Sequence, residues 1–366
     1  MNRHHLPLWL TGFLIPLTTV AAAFLAAGLV VVSICENPFE ALGILVGGAL
    51  GSGYGLGYTL YYATSYIFTG LAVAVAFHAG HFNIGGEGQA LIGGLGAALV
   101  ALSLPGLPAV LLLPLAILGA ALGGAAWAFV PAWLQARRGS HIVITTIMFN
   151  LLAGTLTVYL LAGPLRMTGS MALETARFSD AAILPSFADM AGWFGWTAAR
   201  SPLNLSFPLA LAVAVAVWAL IWHSRLGYRI RTVGANPEAA VYAGISPARI
   251  TLVALMLSGA LAGLMATNEI LGAQGRLINE FVAGAGFVGI ATALMGRAHP
   301  YGIVLASLLF GVLAQGGAEL ALEKPRIPRE MIVVIQGFVI LFAGALENLF
   351  AERLTWLYRR FAPGGN

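Results

Sequence analysis

Charged residues are scarce in this chain. Of its 366 residues, 9% are charged and 59% are hydrophobic, whereas an average soluble domain carries about 25% charged residues. This composition excludes an ordinary soluble protein and predicts a polytopic protein embedded in the lipid bilayer. The net charge is +4, but basic residues in a membrane protein chiefly set its orientation, so we expect no binding to nucleic acid.

Cysteine and lysine each occur once, as Cys35 and Lys324. A single cysteine excludes an internal disulfide framework and any metal cluster built on cysteines, and no HExxH pattern is present, so we expect no metal site. The phosphate-binding loop of ATPases needs the pattern GxxxxGK[ST], but Glu323 and Pro325 flank the only lysine. The chain is therefore predicted not to be an ATPase and to hold no cofactor of its own.

Apolar runs of about 20 residues, the length of a transmembrane helix, recur along the whole chain. They predict an all-α protein with ten spans in one transmembrane domain over residues 1–366. The predicted spans are 8–34, 58–78, 88–104, 108–133, 141–163, 204–223, 250–271, 284–297, 300–320 and 330–350. The first begins like a signal peptide, but its apolar run exceeds the about 7–15 residues of a signal core, so we expect a retained helix.

The distribution of basic residues indicates the orientation of these spans. If the amino terminus is cytoplasmic, the inside segments carry 11 of the 18 basic residues and the outside segments carry the other 7. An excess of basic residues marks the cytoplasmic side, so both termini are predicted to be cytoplasmic. The long loop 164–203 is then external, and its tryptophans are expected to anchor it at the membrane interface, with docking of a soluble partner as the alternative. The loop 224–249 is cytoplasmic.

A polar segment, RTVGANPEAAVYAGI at residues 231–245, separates two of the predicted spans. Asn236 and Pro237 are typical of a helix cap and first turn. Glu238 suits the positive end of the helix dipole, and Gly244 is a typical helix stop. The segment predicts one short helix that docks to a partner protein.

Polar side chains inside apolar spans are costly and therefore commonly functional. They are densest in FHAGHFNIGGEGQ at 77–89, which carries Asn83, Glu87 and Gln89. Its four glycines predict a broken helix, which at membrane depth is buried in protein or lines a cavity. The segment is either the lining of a translocation path or a turn that joins helix ends through hydrogen bonds.

Two further segments place polar groups inside predicted spans. In SHIVITTIMFN at 140–150, Thr146 and Asn150 are four residues apart and share a helix face. In ATNEI, Asn268 and Glu269 come late in an apolar helix. These four residues join the three above as the candidate translocation path, and hydrogen bonding between helices is an equally good interpretation of each.

Several of these segments together resemble one protein family. FNIGGEGQ at 82–89, ITTIMFN ending at Asn150, GYRIRTVGANPEAAVYAGI at 227–245 and GFVGIATALMGRAHPYGI at 286–303 are similar, in order and spacing, to permeases of the nucleoside and simple-sugar branch of bacterial ABC importers. The likeness extends from about residue 38 to about residue 350. Four ordered motifs make it specific.

The resemblance implies a ten-helix permease of the cobalamin-importer type (type II) in the bacterial inner membrane, carrying nucleosides or related simple sugars. In such proteins the EAAxxxG helix seats in a groove on a separate ABC ATPase, which binds the ATP and Mg. The implied ATPase-coupling residues are Asn236, Pro237, Glu238, Ala239, Ala240, Gly244 and Ile245. The likeness also implies a second, paralogous permease, with a heterodimer favoured over a homodimer, and an extracytoplasmic substrate-binding lipoprotein.

The chain departs from the family's usual residues at two places. Ser140 and His141 stand where an Asn–Glu pair is more common, and His78 and His81 stand where an arginine and an apolar residue are more usual. These differences leave the predicted fold unchanged and bear on the substrate.

An ion-coupled secondary transporter of a small polar solute is the alternative function. In that mechanism Glu87, Glu269 or a histidine would carry protons. Coupling to an ion gradient gives no reason for an exposed EAAxxxG helix, so the sequence favours the ATP-driven importer.

Overall fold

The computed structural model describes residues 36–193, 195–327 and 329–341, together with residues 25, 28, 29 and 32. Within these ranges the chain is helical, and its only β-type pairings are two isolated bridges. The α-helices are α1 (Pro38–Leu50), α2 (Gly53–His78), α3 (Gly86–Ser103), α4 (Ala109–Arg138), α5 (Ile142–Ala162), α6 (Phe187–Trp193), α7 (Ser206–His223), α8 (Arg225–Ala235), α9 (Pro237–Tyr242), α10 (Pro247–Ala266), α11 (Ala285–Met295), α12 (Pro300–Glu323) and α13 (Arg329–Leu341). A π-helix, Thr267–Gln274, continues α10, and a 3₁₀ turn spans Asp180–Ala182.

Six helices of the described part are long and apolar enough to cross a membrane. They are α2, α4, α5, α7, α12 and α10 together with its π-helical continuation. Six of the predicted spans coincide with them, which confirms a polytopic helical membrane protein. The predicted span 88–104 coincides with α3, which has 18 residues, and the span 284–297 coincides with the shorter apolar helix α11. Most of the span 8–34 and the end of the span 330–350 lie outside the described residues.

The chain divides into two compact units. The first contains residues 1–52 and 312–366, and the second contains residues 53–311. In the first unit the Lys324 ammonium lies 2.8 Å from a Glu40 carboxylate oxygen and 3.5 Å from one of Glu36. The hydrogen bond to Glu40 raises the pKa of Lys324, so this half-buried cation is held as the charged partner of two acids.

In the second unit, α2 is the central helix and α5 is peripheral. In the most apolar 18-residue stretch of α2, 83% is buried inside the protein, whereas in that of α5 only 22% is buried. Glycines let α10 approach its neighbours closely, because a Cβ at Gly124 of α4 would lie 2.1 Å from the Gly259 carbonyl oxygen. Small residues at such crossings are typical of membrane helix packing, where van der Waals contact provides the attraction.

Two irregular segments interrupt the helices of this unit. Residues 79–85 connect α2 to α3, and residues 275–284 connect the π-helix to α11. The second segment contains four residues with positive φ angles, Gly275, Glu280, Ala283 and Gly284. Irregular backbone of this kind needs hydrogen-bond partners within the protein when it lies at membrane depth, and these partners form the site described next.

Candidate functional site

The predicted docking helix is present as α9. The Asn236 side-chain oxygen accepts hydrogen bonds from the backbone amides of Glu238 (2.9 Å) and Ala239 (3.0 Å), which satisfies two of the free amides at the helix start. Pro237 occupies the first turn, and Gly244, with φ +72°, follows the helix end. The prediction of a capped short helix is therefore confirmed.

The outer face of α9 is free for contact. Val241 and Tyr242 are 60% and 95% exposed, and Glu238 is exposed as well. Ala240 is buried, and its carbonyl oxygen accepts the backbone amide of Ile245 at 2.9 Å, which folds the chain back toward α10. The helix thus has one anchored side and one projecting side.

The segment before α9 packs directly against the turn after α2. A Cβ at Gly234 would lie 2.2 Å from the backbone oxygen of His78, so only glycine permits this approach. Gly80, in the turn after α2, has φ +77°, and a Cβ added to it would lie 3.3 Å from the Gly234 Cα atom. The last turn of α8 and the end of the central helix α2 are therefore in direct backbone contact.

Asn83 is the hub of the first polar cluster. Its amide nitrogen donates to Gln89 Oε1 (3.0 Å) and to Ser258 Oγ (2.8 Å), while its oxygen accepts the backbone amide of Gly85 (2.8 Å). The Ser258 hydroxyl in turn donates to the Ala72 backbone oxygen at 2.6 Å. One buried amide therefore connects the turn 79–85 with α3, α10 and α2.

The Asn150 side chain of α5 bonds both to the same turn and to the first turn of α3. Its side-chain oxygen accepts the Gly88 amide at 2.9 Å, and its nitrogen donates to the Ile84 backbone oxygen at 2.9 Å. Thr146 lies one turn earlier, but its hydroxyl bonds the Ile142 carbonyl of its own helix, and its Cβ lies 3.1 Å from a Cβ position built on Gly85. Thr146 therefore packs at the turn, and Asn150 supplies the hydrogen bonds.

Glu87 joins the two helices that begin within this cluster. One carboxylate oxygen accepts the Gly284 amide, and the other accepts the Gly286 amide, both at 2.9 Å. These amides belong to the free N–H groups at the start of α11, where a negative charge is favourable. Glu87 is thus the cap of a helix remote in sequence.

Asn268 and Glu269 form a second buried cluster, in the π-helix. The Glu269 carboxylate accepts hydrogen bonds from the Tyr61 hydroxyl and, at 2.8 Å, from the Ser65 hydroxyl. The Asn268 amide nitrogen donates to the Ser65 hydroxyl (2.8 Å) and to the Tyr61 backbone oxygen (2.9 Å). π-helical turns inside α-helices are frequent at functional sites.

The entry to α7 completes this second cluster. The Ser206 hydroxyl donates to the Asn268 side-chain oxygen at 2.7 Å, and the Asn204 amide donates to the same atom at 3.1 Å. Gly272 gives Asn204 room, because a Cβ there would lie 2.2 Å from its nitrogen. Three elements, α2, the π-helix and the start of α7, therefore share one network.

The structure thus separates the seven predicted path residues into two groups. Five surround the turn 79–85, and two lie in the π-helix. Partners that the sequence analysis did not single out are Tyr61, Ser65, Asn204, Ser206 and Ser258. Tyr61 and Ser65 lie four residues apart on α2, so their shared helix face is the signal by which they are recognisable.

The histidines of the segment 77–89 bind protein groups. His78 Nε2 lies 3.0 Å from the Ala298 backbone oxygen, and His81 Nε2 lies 2.8 Å from the Thr251 hydroxyl. Burial lowers the pKa of His81, so its neutral form is favoured. Across the described ranges, no three His, Cys, Asp or Glu side chains come together as a metal site.

The loop 164–203 lies along the segment that leads into α11. The backbone amides of Thr175 and Phe178 donate to that segment, and the amide of Leu184 donates to Leu271 of the π-helix. Arg276 also forms a 2.9 Å ion pair with Glu174. Trp193 and Trp196 are more than two-thirds exposed. The loop therefore presents aromatic surface while it is tied to an irregular segment of the core.

A membrane-spanning helical core with interrupted helices, a buried polar centre and a capped helix projecting from a loop defines a transport permease. The chain belongs to the family described as the permease component of the branched-chain amino acid transport system, whose model matches residues 55–344. It is the permease subunit of an ABC importer and a multi-pass protein of the bacterial inner membrane.

Three named relatives are similar in sequence over most of the chain. The glucose ABC transporter permease protein TsgB13 of Haloferax volcanii is 38% identical over 93% of this chain and 89% of its own length. The guanosine ABC transporter permease protein NupP of Bacillus subtilis is 35% identical over 92% and 94%. The nucleoside ABC transporter permease protein NupB of Lactococcus lactis is 32% identical over 90% of each chain.

Proposed function

We propose that this subunit forms the translocation path of an importer for nucleosides or related simple sugars, and that α9 couples it to a separate ABC ATPase. The observation that carries the coupling role is the Asn236-capped helix, which is anchored at Ala240 and projects Tyr242. The substrate class is supported by the names of relatives that match about nine-tenths of the chain.

Coupling would act through rigid contact. A short helix held in a groove of the ATPase must follow that subunit when ATP binds, and packed elements transmit such shifts because they do not deform continuously. The close approach of Gly234 to the His78 backbone gives the movement a direct route to α2. From there it would reach Glu269, whose carboxylate is bonded to α2.

The path would be lined by Asn83, Glu87, Gln89, Thr146, Asn150, Asn268 and Glu269. In the present conformation the amide and carboxylate groups among them bond to the protein, which favours a role in holding the interrupted helices. Rearrangement of these bonds during alternating access would make the same groups available to a polar solute. Amides and carboxylates suit the hydroxyl groups of a ribose or a hexose, because both can accept O–H hydrogen bonds.

The complete importer would contain a second, paralogous permease, an ATPase that holds the ATP and Mg, and a substrate-binding lipoprotein. A heterodimer is favoured because this chain resembles two different nucleoside permeases of Lactococcus lactis, NupB and NupC, to different extents. We infer ten membrane helices in one permease domain with both termini in the cytoplasm. In this orientation the loop 164–203 faces the lipoprotein, and the loop 224–249 faces the ATPase.

Affinity purification from the native membrane tests this proposal. The wild-type chain is expected to bring an ATPase and a second permease with it, whereas Glu238→Lys is expected to insert normally but to lose the ATPase, because a cation then stands at the positive helix end. Glu280→Lys, an exposed acid on the segment before α11, is the matched control. Retention of ATP-driven uptake by Glu238→Lys would refute the coupling role of α9.

A further inference from the structure

A basic cavity lies where α7 ends and α8 begins. Its volume is about 650 Å³, within the range of about 300–1,000 Å³ that is usual for small-molecule sites. Its wall includes Trp222, Arg225, Tyr228, Arg229 and Arg231, and the chain after α9 closes one side through Gly244 and Ile245. Gly244 and Ile245 are among the implied ATPase-coupling residues, but the function proposed above gives no role to the three arginines.

The charge of the cavity has one sign. No acidic residue lines it, and the three arginines take part in none of the ion pairs formed among the described residues. Arginine is weakly hydrated and presents a planar fork of donors that matches the oxygens of a phosphate group. Three such groups around one cavity select for an anion.

The location of the cavity favours an anion that belongs to the membrane. It lies at the end of a membrane-spanning helix, α7, whose last turns carry Trp218 and Trp222, and Tyr228 follows in the first turn of α8. Tryptophan and tyrosine concentrate at the membrane interface. Helix α8 buries Gly227, Ile230 and Val233 on one face, while Tyr228 and Arg229 are exposed, a pattern typical of a helix that lies in the interface plane.

We propose that this cavity binds the phosphate group of an anionic phospholipid, such as phosphatidylglycerol. Basic pockets beside membrane helices on the cytoplasmic side are suited to such headgroups. Because Gly244 and Ile245 form part of the wall, the bound headgroup would hold the chain that follows α9 against α8. The lipid would thereby fix the position of the docking helix, whichever solute is transported.

Native mass spectrometry of the full-length chain in detergent tests this site. Phosphatidylglycerol and phosphatidylcholine are added in equal amounts, and the retained lipids are counted for the wild type and for Arg225→Gln, Arg229→Gln and Arg231→Gln. Each arginine is expected to contribute about five-fold to the preference for the anionic lipid. Arg249→Gln, an exposed arginine of the same loop that is outside the cavity wall, is expected to behave like the wild type.

Three other outcomes would overturn the proposal. The first is an equal preference for phosphatidylglycerol in the wild type and in the triple glutamine variant. The second is saturable binding of inorganic phosphate that requires the arginines while the anionic lipid shows no preference, which would indicate a site for a soluble anion. The third is loss of the co-purified ATPase with unchanged lipid retention, which would make the cavity part of the ATPase contact. Arginine-to-lysine variants, which keep the charge, are expected to retain most of the lipid preference.

Discussion

The Glu87 carboxylate and the Gly286 backbone amide lie 2.9 Å apart and connect the first turns of α3 and α11. The second carboxylate oxygen holds the Gly284 amide at the same distance. The two helix starts are in direct contact, because a Cβ at Gly286 would lie 2.3 Å from the Glu87 nitrogen. One side chain thus fixes the relative position of two interrupted helices.

Substitution of Glu87 should destabilise the protein without preventing its insertion. Glu87→Gln keeps one acceptor and turns an N–H donor toward the other backbone amide, and Glu87→Ala leaves both amides without an acceptor. A buried amide that loses its partner costs about 1–3 kcal/mol. The unfolding temperature in detergent is therefore expected to be highest for the wild type, lower for Glu87→Gln and lowest for Glu87→Ala.

Glu280→Gln provides the control for charge, since Glu280 is an exposed acid on the segment that leads into α11. Its unfolding temperature is expected to equal that of the wild type. If Glu87→Ala unfolded at the wild-type temperature, the carboxylate would have no role in holding α11.

The close crossing of α4 and α10 gives a second prediction about stability. Gly124→Ala would place a methyl group 2.1 Å from the Gly259 carbonyl oxygen, and overpacking of this kind typically costs about 1–3 kcal/mol. At Gly154 on α5, no described atom lies within 4 Å of an added Cβ. Gly154→Ala is expected to leave stability unchanged or raise it by up to about 1 kcal/mol.

Unfolding measurements on the two alanine variants compare these glycines directly. Both changes add one methyl group to a helix, so their intrinsic helix propensities change equally. Equal stabilities of the two variants would show that α4 and α10 can separate to admit a side chain, which would contradict tight packing at this crossing.

The sequence predicted the local features of this protein better than its long-range pairings. The cap at Asn236 and the stop at Gly244 depend on neighbouring residues, so residue type and spacing were sufficient to predict α9. Tyr61 and Ser65 contact Glu269 across more than 200 residues, and hydroxyl groups in membrane helices carry little information about their partners. Their role emerged only when the fold brought α2 beside the π-helix.

Interrupted helices were only partly predictable for a related reason. The glycines at 80, 85, 86 and 88 indicated the break after α2. The irregular segment before α11 contains Glu280 and Ala283 at positive φ, a conformation that their residue types do not favour. Hydrogen bonds from Glu87 and from the loop 164–203 stabilise this segment. These partners are remote in sequence, so the local pattern of residues does not predict them.

The cap of α9 offers a graded test of the docking role. Asn236→Ala removes the acceptor for two backbone amides and is expected to cost about 1 kcal/mol of helix stability. If docking requires the helix, this loss corresponds to about five-fold weaker binding of the ATPase. Asn236→Asp keeps an acceptor and should retain binding. Co-purification of the ATPase measures both variants, and equal recovery from Asn236→Ala and wild type would contradict a docking role for the capped helix.

Substitution of Glu269 distinguishes an ATP-driven importer from an ion-coupled transporter. Glu269→Gln keeps the size of the side chain, and its amide can bond both hydroxyl groups because Tyr61 and Ser65 can each donate or accept. The cluster should therefore persist at a cost of about 1 kcal/mol in stability. Since a glutamine cannot carry a proton, an ion-coupled mechanism that depends on this acid would stop, whereas ATP-driven uptake would continue at a rate close to that of the wild type.

The measurement that separates the two mechanisms is uptake of a labelled nucleoside into vesicles that contain the whole complex, with ATP or with a proton gradient as the only energy source. Uptake driven by the gradient alone, and abolished by Glu269→Gln while ATPase recovery stays normal, would establish the ion-coupled alternative.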